Sequence, residues 1–235
     1  MLLTLFTIPI PAADAFDQAN KLYEQGKYAD AAGAYEKLLQ SGTISPAIYF
    51  NLGNALFKAG QTGRAVYYYR LAERLAPRDP DVQGNLQFVR THIHAGKPPE
   101  LAAWRRILGK LSLNEWALAC GAAFWLWFAL LCLGQWRESL KRALSGWTAT
   151  VGFLAACLGV CLGVTAHEQF HTQTAIVTVK ESTVRYGPLE ESQTAFTVRD
   201  GMELAVLDHK DHWLQVATPT DQIGWLPKDK VLLLP

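Results

Sequence analysis

The chain has 235 residues, with 22 Lys and Arg against 21 Asp and Glu, a net charge of +1. That balance leaves no basic excess for a polyanion and excludes a nucleic-acid binder. Half of the residues are hydrophobic and only 18% are charged, which excludes disorder and points to membrane segments wherever the apolar residues cluster.

Residues 1–15 read as an export signal. Met1 to Pro11 is apolar apart from two threonines, and Ala13-Asp14-Ala15 forms an A-x-A cleavage site. The segment has no basic n-region. Pro9 and Pro11 argue against a membrane span there.

Residues 16–94 repeat with a period of 34: Gly26 matches Gly60, Ala31 matches Ala65, Tyr35 matches Tyr69, and Asn20 matches Asn54. The unit 46–79 reads Tyr49-x2-Leu52-Gly53-x2-Leu56, then Ala65-x3-Tyr69, Ala72 and Pro77. This order and spacing is the tetratricopeptide (TPR) pattern. It predicts about two and a half helical hairpins, in which Gly53 and Ala65 let two helices approach and Tyr69 fills the space beside them. The third unit keeps its first helix, over 80–94. Stacked first helices form a groove, and repeat position assigns Phe16, Asn20, Tyr23, Glu24, Phe50, Asn54, Phe57 and Lys58 to it. Asparagines there can bond an extended peptide backbone and aromatics can stack on its side chains. Phe50 and Phe57 fit the inter-repeat core equally well. Basic carboxylate-clamp positions are filled by Phe16, Asp81 and Asn85, so capture of a peptide C-terminus is not expected.

Residues 95–115 form a linker. Leu101, Trp104, Ile107, Leu108 and Leu111 have helical spacing, with Arg105, Arg106 and Lys110 off that stripe, as in a helix lying on anionic lipid. Residues 116–136 and 143–166 carry no charge and are long enough as helices to cross a bilayer. Trp116 and Trp136 stand at the two ends of the first. The basic turn 137–142, with Arg137, Lys141 and Arg142, joins them into a two-helix transmembrane hairpin. Export of residue 16 onward places the turn in the cytoplasm and both flanks outside. The positive-inside rule does not choose, because Lys97, Arg105, Arg106 and Lys110 flank the first span on the outer side. All four cysteines lie in the spans. Cys157 and Cys161, four apart, fit a packed helix seam better than a metal or redox pair.

His167-Glu168-Gln169-Phe170-His171 matches H-E-x-x-H. Two imidazoles one helical turn apart can bind zinc, with the glutamate as general base. A catalytic zinc needs a third protein ligand, and no recognisable ligand motif follows. A polar helix end leaving the bilayer accounts for the same residues, so neither a metal nor a cofactor is expected.

Residues 172–235 alternate with period two in short runs at 175–179, 203–207, 213–217 and 223–226. Tyr186-Gly187-Pro188, Asp200-Gly201 and Pro219-Thr220-Asp221 supply turns between runs. A small barrel is predicted. Val184-Arg185-x-Gly187-Pro188, Trp213-x2-Val216 and Gly224-Trp225 resemble a bacterial SH3 domain. That likeness implies an accessory module for cell-wall or protein peptides, with Tyr186, Trp213 and Trp225 on its ligand face. Core packing suits either tryptophan as well.

Signal, TPR hairpins, two spans and a small SH3-like barrel follow one another in a single chain. With Asn51-Leu52-Gly53-Asn54-Ala55, Leu75-Ala76-Pro77-Arg78-Asp79-Pro80-Asp81 and Ala175-Ile176-Val177, this order resembles the E-type proteins of bacterial aerotolerance (Bat) operons. The resemblance implies a non-enzymatic inner-membrane component with both soluble modules periplasmic. It implies membrane-anchored von Willebrand A-domain partners, a MoxR-type AAA+ ATPase encoded alongside, and a role in stress or oxygen tolerance. A zinc-dependent membrane protease using His167, Glu168 and His171, and a cell-wall anchor, are the alternatives.

Overall fold

The computed structural model describes residues 12–93, 108–109, 111–136, 138–171 and 173–235. Residues 1–11 of the expected export signal at 1–15, and most of the expected amphipathic stripe at 101–111, lie outside the described residues. The chain forms two compact units: residues 1–99 with 173–235, and residues 100–172.

The first unit opens with five helices: α1 (Ala12–Glu24), α2 (Tyr28–Gln40), α3 (Pro46–Lys58), α4 (Thr62–Leu75) and α5 (Pro80–Ile93). The A-x-A site lies in the first turn of α1. Local chemistry sets the helix ends. Ser45 caps α3 by accepting from the Ile48 amide, and Asp79 caps α5 by accepting from the Asp81 and Val82 amides. Pro46 and Pro80 open these helices, where a missing N–H costs nothing. Gly26 and Gly60 end α1 and α3 with φ of +75° and +79°, the left-handed stop that glycine adopts without strain.

Packing follows the repeat. Ala31, Tyr35, Leu52, Leu56, Ala65 and Tyr69 are buried in one apolar core. A Cβ on Gly53 would lie 2.7 Å from the Tyr69 ring, so the expected glycine–tyrosine fit is present.

The C-terminal segment is a seven-stranded antiparallel sheet: β1 (Gln173–Val177), β2 (Glu181–Arg185), β3 (Thr194–Arg199), β4 (Glu203–Lys210), β5 (Trp213–Ala217), β6 (Ile223–Pro227) and β7 (Val231–Leu233). Strand order is β3-β2-β6-β5-β4-β1-β7. The predicted barrel is therefore corrected to an open sheet, with β3 and β7 as its edges. Val184, Leu204, Leu214, Val216 and Leu226 form its core. Gly224 explains the Gly-Trp pair: a Cβ there would meet Val184 Cγ1 at 2.6 Å and the Arg185 carbonyl at 2.8 Å. Its absence lets β6 close on β2 and leaves Trp225 on the opposite face.

The sheet and the repeat helices share an interface. Ile176 and Leu234 are fully buried in the same apolar cluster as Leu86 and Val89 of α5. Helix α4 has no capping side chain of its own at Gln61. Its cap comes from the β3–β4 turn, where Asp200 Oδ1 accepts from the Gly63 amide at 2.9 Å. The Arg90 guanidinium donates twice to Glu203, at 2.7 and 3.0 Å, and Arg70 lies 3.4 Å from the same carboxylate. Arg74 donates to the Pro235 carbonyl.

Burial raises the Asp200 carboxyl above its ordinary range, and the Gly63, Thr62 and Gly201 amides offset this only in part. The native state thus holds the Asp200 proton to higher pH than the unfolded chain does, so ionisation costs stability. Wild type should lose stability relative to Asp200→Asn as pH rises from about 4 toward neutrality. Thermal melting of both proteins in detergent across that range checks this. A difference that stays constant with pH would refute it.

The second unit is a pair of long helices, α6 (Leu113–Trp136) and α7 (Glu138–His171). Both contain stretches long and apolar enough to cross a membrane, at Leu113–Trp136 and Leu140–His167. Helix α6 starts earlier than predicted because Ser112-x-x-Glu115 forms a capping box. Glu115 Oε2 accepts from the Ser112 amide at 2.8 Å, and Ser112 Oγ accepts from the Glu115 amide. The predicted basic turn 137–142 is mostly helix, since α7 begins at Glu138 and carries Lys141 and Arg142 near its start. Gly152 packs under the Trp127 indole, and a Cβ there would lie 2.6 Å from Nε1. Thr148 and Thr150 return their hydroxyls to the Leu144 and Gly146 carbonyls, so both donors are satisfied within the helix.

Candidate functional site

The 34-residue period places Asn20, Asn54 and their neighbours on the first helices α1, α3 and α5. The structure shows what these asparagines do within the repeat. Asn20 Oδ1 accepts from the Tyr35 hydroxyl at 2.5 Å and from Asn51 Nδ2 at 3.2 Å. One repeat later, Asn54 Oδ1 accepts from the Tyr69 hydroxyl and from Asn85 Nδ2, both at 2.7 Å. Each asparagine oxygen thus ties its own hairpin to the first helix of the next. With both acceptor sites used, the remaining capacity of Asn20 and Asn54 is the Nδ2 donor pair. Burial pushes the Tyr35 phenol up to about 12 and the Tyr69 phenol higher still. Both stay protonated donors at neutral pH.

Aromatic rings flank this ladder. Phe16 lies 5.9 Å from Tyr35, and Phe50 lies 6.0 Å from Tyr69. Phe57 meets Phe88 at 5.9 Å and His92 at 6.1 Å, both edge-on. Asn20, Tyr23, Phe50, Asn54 and Phe57 are half-buried, while Glu24 and Lys58 are exposed. Phe88 is 62% exposed, too open for a core residue. The place of Phe88 and His92 on this surface escaped the sequence reading, although the period contains it: Phe88 is one repeat beyond Asn54, and His92 one beyond Lys58. The surface offers fixed amide donors, stacking faces and one charge of each sign. Among the described residues the carboxylate-clamp positions are Phe16, Asp81 and Asn85, none of them basic.

On the sheet, Trp213 and Trp225 occupy one face. Trp213 pairs with Pro227, and Trp225 pairs with Gln215 on one side and Arg185 on the other. Leu214, Val216 and Leu226 point into the core between them, so both tryptophans lie on the outer face, half-buried. Tyr186 follows Arg185 and is 68% exposed.

His167 and His171 lie one turn apart near the end of α7. The side chains of Glu168 and His171 lie outside the described residues. Among the described residues, no group of three His, Cys, Asp or Glu side chains converges. Cys120, Cys132, Cys157 and Cys161 are free thiols on α6 and α7.

Residues 16–80 match the tetratricopeptide repeat family model. Comparison with curated proteins returns no match.

Proposed function

We propose that the chain is a non-enzymatic scaffold of the bacterial inner membrane, using its TPR groove to hold an extended segment of a partner protein. Helices α6 and α7 form the membrane hairpin. The TPR helices and the SH3-like sheet lie together in the periplasm. Partners are membrane-anchored von Willebrand A-domain proteins of a Bat-type stress assembly, as the resemblance to E-type Bat proteins implies. Packing of the sheet on the repeat helices supports one side of the membrane for both modules, because a hairpin of two spans returns the chain to the side it left. Tethering to the same bilayer raises the groove's effective concentration toward membrane partners.

One observation carries the reading: the hydrogen bonds of the repeat core leave amide donors and an exposed aromatic patch unspent along the first helices. The test is a photo-reactive residue at position 57 in native membranes, with Phe57→Ala as competitor in co-purification. Asn54 is a poor choice, because its loss strands the Tyr69 hydroxyl. Phe57→Ala should lower partner recovery about tenfold at some loss of stability, because the ring also packs against the repeat core, whereas Phe88→Ala, which removes a 62% exposed ring, should lower recovery with little change in thermal melting. Unchanged recovery would remove the groove from the mechanism.

A further inference from the structure

The first two repeats each close their core with a second helix, α2 or α4. Among the described residues no second helix of its own repeat packs on α5, whose Arg90 and Ile93 instead meet Glu203 and Gly201 of the C-terminal segment. Ile176 and Leu234 are buried in the same apolar core as Leu86 and Val89 of α5. Ile93 Cδ1 lies 2.5 Å from where a Cβ on Gly201 would be, so the β3–β4 turn sits directly on the end of α5. The half-buried Arg90–Glu203 pair fixes the same helix with two parallel hydrogen bonds. Helix α5 also faces the groove, through Asn85 on Asn54 and through Phe88 and His92 around Phe57.

We infer that the C-terminal sheet is the positioning element for α5, and through α5 for one half of the groove, so that the groove is complete only after the chain beyond the membrane hairpin has folded back onto the repeats. The inference rests on the groove reading for its functional meaning, but not for its geometry. Glu203 and Asp200 are positioning residues, acting on the groove through α5 and α4. An N-terminal repeat domain emerging alone would have its second half loose. A chain whose two flanks had been left on opposite sides of the membrane could never finish it. The contact therefore couples partner binding to correct insertion.

Amide hydrogen exchange on the full chain in lipid nanodiscs tests this. In Glu203→Ala the charge of Arg90 loses its main partner, and segment 80–93 should exchange about tenfold faster or more, while α1–α2 and β5–β6 keep their protection. The double variant Arg90→Met/Glu203→Leu replaces the pair with apolar contact and should restore slow exchange in α5. Asp200→Ala is the second probe, should Glu203→Ala fold poorly; it should loosen the start of α4 and then α5. Unchanged exchange of 80–93 in both single variants overturns the inference, as does uniform loosening of the whole unit. Photo-crosslinking at position 57 in the same samples decides the groove reading separately.

Discussion

Gly63→Ala is expected to destabilise the protein by about 2 kcal/mol, although the same exchange in an ordinary exposed helix stabilises by about 1 kcal/mol. Gly63 is buried at the start of α4, where backbone entropy alone favours alanine. The added Cβ, however, would lie 2.0 Å from the Val177 carbonyl oxygen and 2.4 Å from Asp200 Oδ1. The first obstacle is backbone and cannot swing aside. The second is the cap of α4, and pushing it away leaves the Gly63 amide without its acceptor. Gly84→Ala in α5 is the internal control, since nothing lies within 4 Å of a Cβ there. It should raise stability by about 0.5–1 kcal/mol. Thermal melting of both variants in detergent gives opposite signs if the sheet is seated on α4. Equal signs would mean that it is not.

That contact marks the boundary of what could be read from residues alone. The helices were legible because a repeat states its packing twice: Tyr35 and Tyr69, and Asn20 and Asn54, recur at fixed spacing. The two long apolar helices were legible because uncharged stretches of that length are conspicuous in a sequence. The strands were legible where Leu214, Val216 and Leu226 alternate with Trp213, Gln215 and Trp225. The early start of α6 was also written in the sequence, as Ser112-x-x-Glu115, but hydropathy alone pulled the boundary inward to Trp116. The union of sheet and repeats was not legible. It depends on a carboxylate at 200 meeting an amide at 63, and a carboxylate at 203 meeting a guanidinium at 90, and no periodic signal links positions more than a hundred residues apart in different kinds of structure. The open sheet was hidden for a similar reason. Short alternating runs fix strand existence, whereas closure depends on whether the edge strands pair, which is a property of global curvature. On the first helices, the asparagines announced themselves by period, but the sequence could not say that their oxygens are already occupied by Tyr35, Tyr69, Asn51 and Asn85. That fact turns them from free recognition groups into half-committed ones.

Tyr69→Ala is expected to cost about 3–5 kcal/mol, a large part of the roughly 5–15 kcal/mol that holds a typical domain folded. The ring is 1% exposed and fills the space that Gly53 leaves open between α3 and α4. Its hydroxyl is one of the two donors on Asn54, and Asn54 in turn holds Asn85 of the next repeat. Removing the side chain therefore opens a cavity and weakens a link between repeats at once. Tyr69→Phe separates the two effects. It keeps the volume and deletes one hydrogen bond, and should cost about 1 kcal/mol, because Asn54 Oδ1 still accepts from Asn85. If Tyr69→Phe cost as much as Tyr69→Ala, the amide ladder rather than ring packing would hold the repeats together. The partner glycine supplies a further check. Gly53→Ala alone places a methyl 2.7 Å from the ring and should destabilise by about 1–3 kcal/mol. Combined with Tyr69→Ala, the same methyl enters the vacated space, so the double variant should be more stable than the sum of the two losses by about 1 kcal/mol or more. Strict additivity in that cycle would show that Gly53 and Tyr69 do not meet in the folded chain.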